Sequence, residues 1–221
     1  MIYITYYYPE TSGTKVFIES GKRLGIEIIN LCKHDRWVGN KQAGIEMFEE
    51  LKNFPKNEFV CYADGADSII QAPVTYKELS MTYQTELACY PHIEMAEQHP
   101  KSESPFKFLN GGGWLGNVGV IIEFYENYLK KYLQSAEDLN GQHIQQLALV
   151  EAIKDNFPIR LDNYCKYYQS IAFIPKESIF KVNEQGLIDN TLTKSTPCIF
   201  HGNGKTDMQW LINHFNLNGK T

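Results

Sequence analysis

The sequence is poor in features that mark membrane, secreted or disulfide-rich proteins. No apolar run approaches the ~18 residues of a membrane-spanning helix. The first residues lack the basic region of a signal peptide, and no Asn-x-Ser/Thr sequon occurs. The five cysteines form no close pair, which excludes a compact disulfide scaffold and a zinc knuckle, and favours free thiols: Cys32, Cys61, Cys89, Cys165 and Cys198. We therefore expect a soluble, cytoplasmic protein that does not bind membranes.

Basic residues are also in short supply. Lysine and arginine number 21 against 26 acidic residues, so the formal net charge is -5. A protein that depends on many phosphate-backbone contacts is normally basic, so nucleic acid is an unlikely partner. The composition is otherwise that of a globular chain, and 221 residues suit a single domain spanning 1–221. Aromatic residues are plentiful at 13%, and their rings can pack a core or stack on bases and sugars.

The hydrophobic pattern predicts an α/β fold. In the first half, strands at 2–8, 26–31 and 58–63 alternate with helices at 14–24 and 41–54, which is typical of a parallel sheet. The second half is less regular. It predicts a strand at 84–90, helices at 119–133, 144–153 and 207–215, an exposed turn region at 182–194 and a last strand at 197–200.

Two acidic residues follow the third predicted strand, in the segment Asp64-Gly65-Ala66-Asp67. Ligands bind outside the carboxyl ends of strands in parallel α/β sheets, and two carboxylates across a glycine turn can converge on one cation. Mg²⁺ and Mn²⁺ favour such oxygen ligands and could neutralise a diphosphate leaving group. An ordinary turn is the alternative, because Asp and Gly both favour turns.

A second glycine-rich segment, His201-Gly202-Asn203-Gly204-Lys205-Thr206, follows the last predicted strand and precedes a helix. Its backbone N–H groups could bind phosphate, and His201 could supply an imidazole ligand to the same cation. It is not a Walker A loop, because Ile199 stands where that motif requires glycine. A simple helix entry is the alternative interpretation.

Two further features concern ligand binding. The segment 108–116 contains a literal G-x-G-x-x-G, but it lies mid-chain and lacks a suitably placed acid, so its glycines better fit close approach to a ligand or another strand. Lys41 stands at the start of a predicted helix, where its ammonium could contact a diphosphate or simply be solvated.

Taken in order, these segments resemble the glycosyltransferase domain of the multifunctional procollagen lysyl hydroxylases. The resemblance spans nearly the whole chain, and its most specific parts are Asn-x-Gly-Gly-x-x-Gly and His-Gly-Asn-Gly. The matching residues are Ile4-Thr5, Glu10-Thr11, Gly13, Arg36-Trp37, Gly39, Lys41, Asp64, Asp67, Ala96-Glu97-Gln98, Pro100, Phe108-Leu109-Asn110, Gly112, Gly113, Gly116, Leu161-Asp162, Gln169, His201-Gly202-Asn203-Gly204 and Thr206.

The resemblance implies a GT-A fold, with a central mixed, mostly parallel sheet flanked by helices, a UDP-sugar donor and Mn²⁺, with Mg²⁺ as an alternative. It implies that the metal ligands are Asp64, Asp67 and His201. Lys41 and Gly204 would lie near the diphosphate, and Thr5 to Tyr8 would flank the uridine. A loop from Asn110 to Gly116, including Gly112 and Gly113, would face the donor sugar and the acceptor.

The chain departs from the family at two places. The family carries acids just before a Gln-Leu pair, but here Gln146-Leu147 follows His143-Ile144-Gln145. Sugar transfer needs a base or stabilisation of charge at the anomeric carbon, so His143 and the out-of-register Asp138 are the candidate catalytic residues. Ala66 replaces a tyrosine between the two metal-binding acids, so stacking on uracil would fall to Tyr6 to Tyr8.

The sequence therefore predicts a metal-dependent hexosyltransferase that moves a sugar from a UDP-sugar to a hydroxyl acceptor, on a hydroxylysine-like residue, a glycan or another group. Two alternatives remain open. One is a catalytically degenerate nucleotide-sugar binding module, suggested by the missing acids. The other is a glycosyltransferase acting on hydroxymethylated DNA bases, against which the net charge counts.

Overall fold

The computed structural model describes residues 1–8, 11–87, 102–135, 141–172, 174, 176–203 and 206–217, with the backbone alone at 141–143, 176 and 177. The strands are β1 (Ile2–Thr5), β2 (Ile28–Asn30), β3 (Phe59–Ala63), β4 (Ser68–Ile70), β5 (Met81–Glu86), β6 (Phe108–Asn117), β7 (Ile159–Leu161), β8 (Tyr168–Ser170), β9 (Phe180–Val182), β10 (Ile188–Asn190) and β11 (Ile199–His201). The helices are α1 (Ser12–Lys22), α2 (Asn40–Leu51), α3 (Val118–Phe124), α4 (Lys130–Ser135), α5 (Gly141–Lys154), α6 (Lys176–Ile179) and α7 (Gln209–His214).

A six-stranded sheet forms the centre of the molecule, in the order β2-β1-β3-β6-β5-β7. The strands β2, β1 and β3 are parallel, as is the pair β5 and β7, whereas β6 runs antiparallel to both of its neighbours. The predicted mixed, mostly parallel sheet is therefore confirmed. The first strand ends at Thr5 rather than at residue 8, which leaves Tyr6 to Tyr8 beyond the edge of the sheet.

Two smaller sheets accompany the central sheet in the described ranges. In one, β11 pairs antiparallel with β4 and parallel with β8. The other is the pair β9 and β10, and it corrects the prediction of an exposed turn region at 182–194. Ile188 in β10 is buried and packs in one cluster with Phe200 and Leu211. The prediction missed β10 because turn-forming residues surround its short apolar segment in the sequence.

Helices α2, α3 and α5 bury their apolar faces against the central sheet. The largest core side chain, Trp114 of β6, stacks on Phe48 of α2 at 5.5 Å and on Tyr62 of β3 at 5.0 Å between ring centroids. Burying each such side chain contributes roughly 1.5–3 kcal/mol. The predicted helix at 119–133 is interrupted by a π-helical turn at Tyr125–Leu129. None of the helices in the described ranges is both long and apolar enough to cross a bilayer.

The glycine-rich segment is a strand of the central sheet and not the expected loop. Residues Phe108–Asn117 form β6, between β3 and β5. Glycine is normally unfavourable in a strand, but here the missing side chains admit close neighbours. A Cβ on Gly113 would lie 2.4 Å from Oε1 of Gln84, and one on Gly116 would lie 2.5 Å from the carbonyl oxygen of Ser80. The expected close approach to another strand is therefore present.

Candidate functional site

Three predicted ligands meet at one edge of the central sheet. Asp64 directly follows β3 and Asp67 directly precedes β4, so one short turn carries both carboxylates. His201 ends β11 and pairs with Ser68, the first residue of β4. One carboxylate oxygen of each aspartate and one imidazole nitrogen lie within 4.8 Å of one another. The fold thus brings together side chains that are more than 130 residues apart in the chain.

The turn that carries the two aspartates is fixed by backbone contacts. The N–H of Asp64 donates to the carbonyl of Gly112 at 2.8 Å, and the N–H of Gly202 donates to the carbonyl of Asp67 at 2.7 Å. Helix α1 closes on the turn so tightly that a Cβ on Gly13 would lie 1.7 Å from the carbonyl oxygen of Ala66. Only glycine permits this approach, so the carboxylates are held by the framework and not by a free loop.

The imidazole of His201 is enclosed, and the ring is 3% exposed. Its Nε2 lies 3.1 Å from Oδ1 of Asp67, and its Nδ1 lies 3.2 Å from Oε1 of Gln84. Gly112 borders the ring so closely that an added Cβ would lie 2.2 Å from Cε1. The ring therefore has a defined position between β4, β5 and β6.

The electrostatics of this cluster favour a cation. Burial raises the pKa of Asp64, and the charge of Asp67 raises that pKa further. Burial lowers the pKa of His201, but the charge of Asp67, followed by those of Asp64 and Glu86, outweighs this effect and raises it above its ordinary value. The two aspartates thus repel each other, and they favour a positive charge on the neighbouring ring. A divalent cation would relieve the same excess of negative charge.

The donor set fits such a cation. Oδ1 of Asp67 is buried and has no hydrogen-bond partner among the described residues, although Nε2 of His201 lies 3.1 Å away. An unpaired buried carboxylate oxygen is costly unless something binds it. Two carboxylates and an imidazole suit Mn²⁺, and the carboxylate oxygens also suit Mg²⁺. Ligand atoms that lie about 2.1 Å from one cation are roughly 3–4.2 Å from each other. Small side-chain movements would therefore bring these three ligand atoms, now within 4.8 Å of one another, to coordination distances.

A pocket of about 490 Å³ opens over the three ligands. One part is largely aromatic and apolar, formed by the end of β1, the segment before α2 and the start of α2: Tyr6, Tyr7, Tyr8, Trp37, Ala43 and Met47. The other part is polar, formed by β6, α5 and the segment after β11: Asn110, Gly111, Gly112, Gln145 and Asn203. In the sheet, β3 and its acidic turn lie between β1 and β6, so the ligand cluster separates the two parts.

A carboxylate that the sequence reasoning missed lies behind the polar part. Glu86, the last residue of β5, is 2% exposed. Its Oε2 accepts hydrogen bonds from Nδ2 of Asn110 at 2.9 Å and Nδ2 of Asn203 at 2.6 Å. Both asparagines line the pocket, so Glu86 orients polar groups that face it. The available signal was the concentration of polar residues in this strand, all six of whose residues are buried.

The remaining predicted residues fall into three groups. Tyr8 and Gly112 line the pocket. Thr5, Gly113 and Lys41 are not among the described lining residues: Thr5 is buried with its hydroxyl donating to Ala63, Gly113 packs against Gln84 and Tyr168, and Nζ of Lys41 donates to the carbonyl of Gln134.

The third group lies outside the described residues. It comprises Gly204, Asp138, the side chain of His143, and the segment that contains Ala96-Glu97-Gln98 and Pro100. The backbone of His143 lies in the first turn of α5, two residues before Gln145. Gln145 faces the pocket next to Gly111, and its Oε1 is buried with no hydrogen-bond partner among the side chains that the structure describes.

The comparisons with known proteins agree with this geometry. The family model described as "PLOD GT domain" matches residues 2–217. The rat multifunctional procollagen lysine hydroxylase and glycosyltransferase LH3 is 23% identical over 227 residues, which cover 95% of this chain and 30% of that protein. The chain therefore spans under a third of the length of this relative.

Two solved glycosyltransferases share the architecture. The galactosyltransferase LgtC, solved with donor and acceptor sugar analogues, superposes with a TM-score of 0.56 at 11% identity and covers 98% of this chain and 95% of its own. A glycosyltransferase involved in glycosylation of the major capsid of PBCV-1 gives 0.51 at 8% identity, covering 98% of each chain. The fold is therefore GT-A. By its family match over residues 2–217, the chain belongs to the PLOD GT domain family, and its fold is the one that these glycosyltransferases share.

Proposed function

We propose that this chain transfers a sugar from a UDP-sugar to a hydroxyl acceptor in a reaction that depends on a divalent cation, Mn²⁺ or, as an alternative, Mg²⁺. The observation that carries the proposal is the cluster of Asp64, Asp67 and His201 between an aromatic and a polar part of one pocket. A nucleotide sugar has the same order of parts: a base, a diphosphate and a sugar.

The charge of the pocket supports the need for a cation. Its described lining residues include two aspartates but no lysine or arginine, and Glu86 lies behind it. A diphosphate brought to these carboxylates alone would be repelled. When bound, a divalent cation would neutralise the diphosphate while the bond to the anomeric carbon breaks.

The aromatic part suits the uridine. Trp37 is 50% exposed at the pocket, and Tyr7 and Tyr8 line the same part. Exposed indole and phenol faces can stack on a nucleobase, which compensates for Ala66 in the acidic turn. Tyr6 donates a 2.6 Å hydrogen bond from its hydroxyl to Oε2 of Glu46, which fixes the wall beneath them.

The polar part suits the sugar and the acceptor hydroxyl. Glu86 already holds the amides of Asn110 and Asn203 in fixed orientations. Binding of a hydroxyl group to these amides therefore costs little further side-chain entropy. We retain His143 and Asp138 as candidates for the base that removes the acceptor proton. The name of the rat relative mentions procollagen lysine, and a hydroxylysine-like residue or a glycan hydroxyl is the proposed acceptor. We further propose that the protein acts in the cytoplasm.

A UDP-release assay over a panel of UDP-sugars and acceptors, with and without Mn²⁺, tests the proposal. We expect release that a chelator abolishes, and loss of at least about tenfold in Asp67→Asn because an anionic ligand is removed. The matched control is Glu184→Gln, which neutralises an exposed acid in the β9–β10 turn and should retain full turnover. Chelator-resistant turnover, or full activity in Asp64→Asn and Asp67→Asn, would exclude this mechanism.

One observation favours a second candidate, a nucleotide-sugar binding module without turnover. Gln145 presents an amide to the pocket just before the Gln-Leu pair, where the family resemblance implies acids, and an amide cannot act as a base. This candidate predicts Mn²⁺-dependent UDP binding by calorimetry without UDP release for any donor and acceptor pair. Release with one pair, abolished by the Asp67 variant, would exclude it.

A further inference from the structure

We propose that Gln84 is a positioning residue for the metal ligand His201: its side-chain carbonyl accepts the Nδ1 proton and thereby leaves Nε2 free to bind the cation. This inference rests on the proposed function, since it concerns the same cation. Gln84 does not line the pocket, and its role is exerted through His201.

The strand pairing directs Gln84 toward the histidine. Strands β5 and β6 pair regularly up to Tyr83 and Trp114, after which the register jumps so that Gln84 faces Asn110. Gly111 to Gly113 are therefore left out of the pairing with β5. Such irregularities re-aim side chains next to functional sites, and the glycines of this one border both the imidazole of His201 and the amide of Gln84.

The glycines left out of the pairing make room for both side chains. A Cβ on Gly113 would lie 2.4 Å from Oε1 of Gln84, and one on Gly112 would lie 2.2 Å from Cε1 of His201. The amide and the ring thus occupy volume that any other residue at these two positions would take. With Oε1 and Nδ1 3.2 Å apart, the pair is enclosed and its geometry is restricted.

The hydrogen-bond pattern of Gln84 indicates that packing alone does not account for it. Its side chain is fully buried, yet its Nε2 has no hydrogen-bond partner within the described structure. An apolar residue of similar length would avoid this unsatisfied donor, so a purely structural role favours methionine here. The carbonyl end, in contrast, faces the ring nitrogen directed away from the aspartates.

The contact between Oε1 of Gln84 and Nδ1 of His201 matters for metal binding. A neutral imidazole binds a cation through one nitrogen and carries its proton on the other, and the partner of that proton fixes the tautomer. Oε1 of Gln84 accepts from Nδ1 and so favours the tautomer with an unprotonated Nε2, the nitrogen beside Asp67. An amide turned the other way would donate to Nδ1 and would leave the proton on Nε2, where it blocks the cation.

The test compares Gln84→Met with Gln84→Glu, two side chains of similar length. The measurements are the Mn²⁺ dissociation constant by electron paramagnetic resonance and the thermal unfolding temperature without metal. We expect Gln84→Met to bind Mn²⁺ about 10- to 100-fold more weakly while unfolding at the same or a higher temperature. Gln84→Glu, which can still accept the Nδ1 proton, should keep the wild-type affinity within a few-fold.

A spectroscopic measurement on the wild-type protein complements the variants, in case Gln84→Met does not fold. Long-range ¹H–¹⁵N correlation spectra with saturating Zn²⁺, a diamagnetic cation that binds imidazole, should show His201 protonated at Nδ1 only. Wild-type Mn²⁺ affinity in folded Gln84→Met, or a proton on Nε2 in the Zn²⁺ complex, would overturn the role of Gln84 but leave the metal site standing. A wild-type protein that binds neither cation would overturn the proposed metal dependence together with this inference.

Discussion

Replacing Gly112 with alanine should disable the cation site by moving one ligand. The added Cβ would lie 2.2 Å from Cε1 and 2.8 Å from Nε2 of His201. Ordinary contacts begin near 3.4 Å, so the ring would have to withdraw by about 1.2 Å. The glycine cannot retreat instead, because its N–H donates to Asn110 and its carbonyl accepts from Asp64, both at 2.8 Å.

Metal ligands tolerate displacements of only about 0.2 Å, so a shift of this size should remove the imidazole from the coordination sphere. We expect Mn²⁺ affinity to fall at least about tenfold, and the overpacking to cost about 1–3 kcal/mol of folding free energy. Calorimetric Mn²⁺ titration of the folded variant measures the first, and thermal unfolding measures the second. A Gly112→Ala protein with wild-type Mn²⁺ affinity would refute the assigned role of His201.

The neighbouring residue provides the control. A Cβ on Gly111 would lie 2.6 Å from Oε1 of Gln145, which is the end of a flexible side chain that can rotate away. Gly111→Ala should therefore bind Mn²⁺ within about twofold of the wild type, although the displaced amide changes the polar part of the pocket. Equal losses in the two variants would indicate general damage to β6 rather than a specific effect on the imidazole.

Three further predictions follow from the same contacts. The pKa of His201 is raised, so Mn²⁺ must displace a proton from the imidazole at pH values below that pKa, and the Mn²⁺ affinity should rise about tenfold per pH unit there and level off above it. Proton release, measured by calorimetry in two buffers of different ionisation enthalpy, checks this prediction. A Mn²⁺ affinity that does not change between pH 5.5 and 8 would contradict it. Asp162→Asn should lower the free energy of unfolding at pH 7.5 by about 2–3 kcal/mol, because the carboxylate accepts three backbone N–H bonds at 2.8 Å and an amide cannot accept all of them. Urea unfolding measures this loss, and an unchanged midpoint urea concentration would contradict the prediction. Glu86→Ala should raise the KM for the donor several-fold, because it releases Asn110 and Asn203, and an unchanged KM would exclude this orienting role.

The convergence of the candidate metal ligands could be anticipated because two of them, Asp64 and His201, lie at the ends of strands. Asp64 follows β3 and His201 ends β11, and the ends of strands are where α/β sheets collect ligands. The sequence also carried the apolar runs that form β1, β3 and α2. These signals are local in the sequence, so the elements can be predicted without knowing how the strands pair.

The residues that orient the site from behind, Gln84 and Glu86, could not be anticipated, because their contacts depend on pairings between strands that are distant in sequence. The strand β5 is buried at all six positions although most of its residues are polar, so it lacks the alternation that identifies a half-buried strand. Its register jump opposite Gly111 to Gly113 is a property of the pair β5 and β6. Neither Gln84 nor Glu86 has any local signal for the partner that gives it a role.

Local propensity was misleading where tertiary contacts opposed it. Tyr6 to Tyr8 favour a strand, but the sheet ends at Thr5 and the three tyrosines form a wall of the pocket. The glycines of β6 favour a loop, but their missing side chains accommodate the imidazole and the amide of Gln84. In both places the departure from propensity coincides with the pocket, as expected where function rather than stability selects the residues.

A bound cation would also contribute to the stability of the fold. Asp64 is buried next to Asp67 with Glu86 nearby, and this concentration of carboxylates opposes folding unless positive charge balances it. A positive charge on the imidazole of His201 would supply part of that balance, and a divalent cation would supply more. Since the ligands come from the β3–β4 turn and β11, a cation would also join two sheets that meet at this edge. Its binding free energy would therefore add to folding stability, because the unfolded chain does not hold these three side chains together.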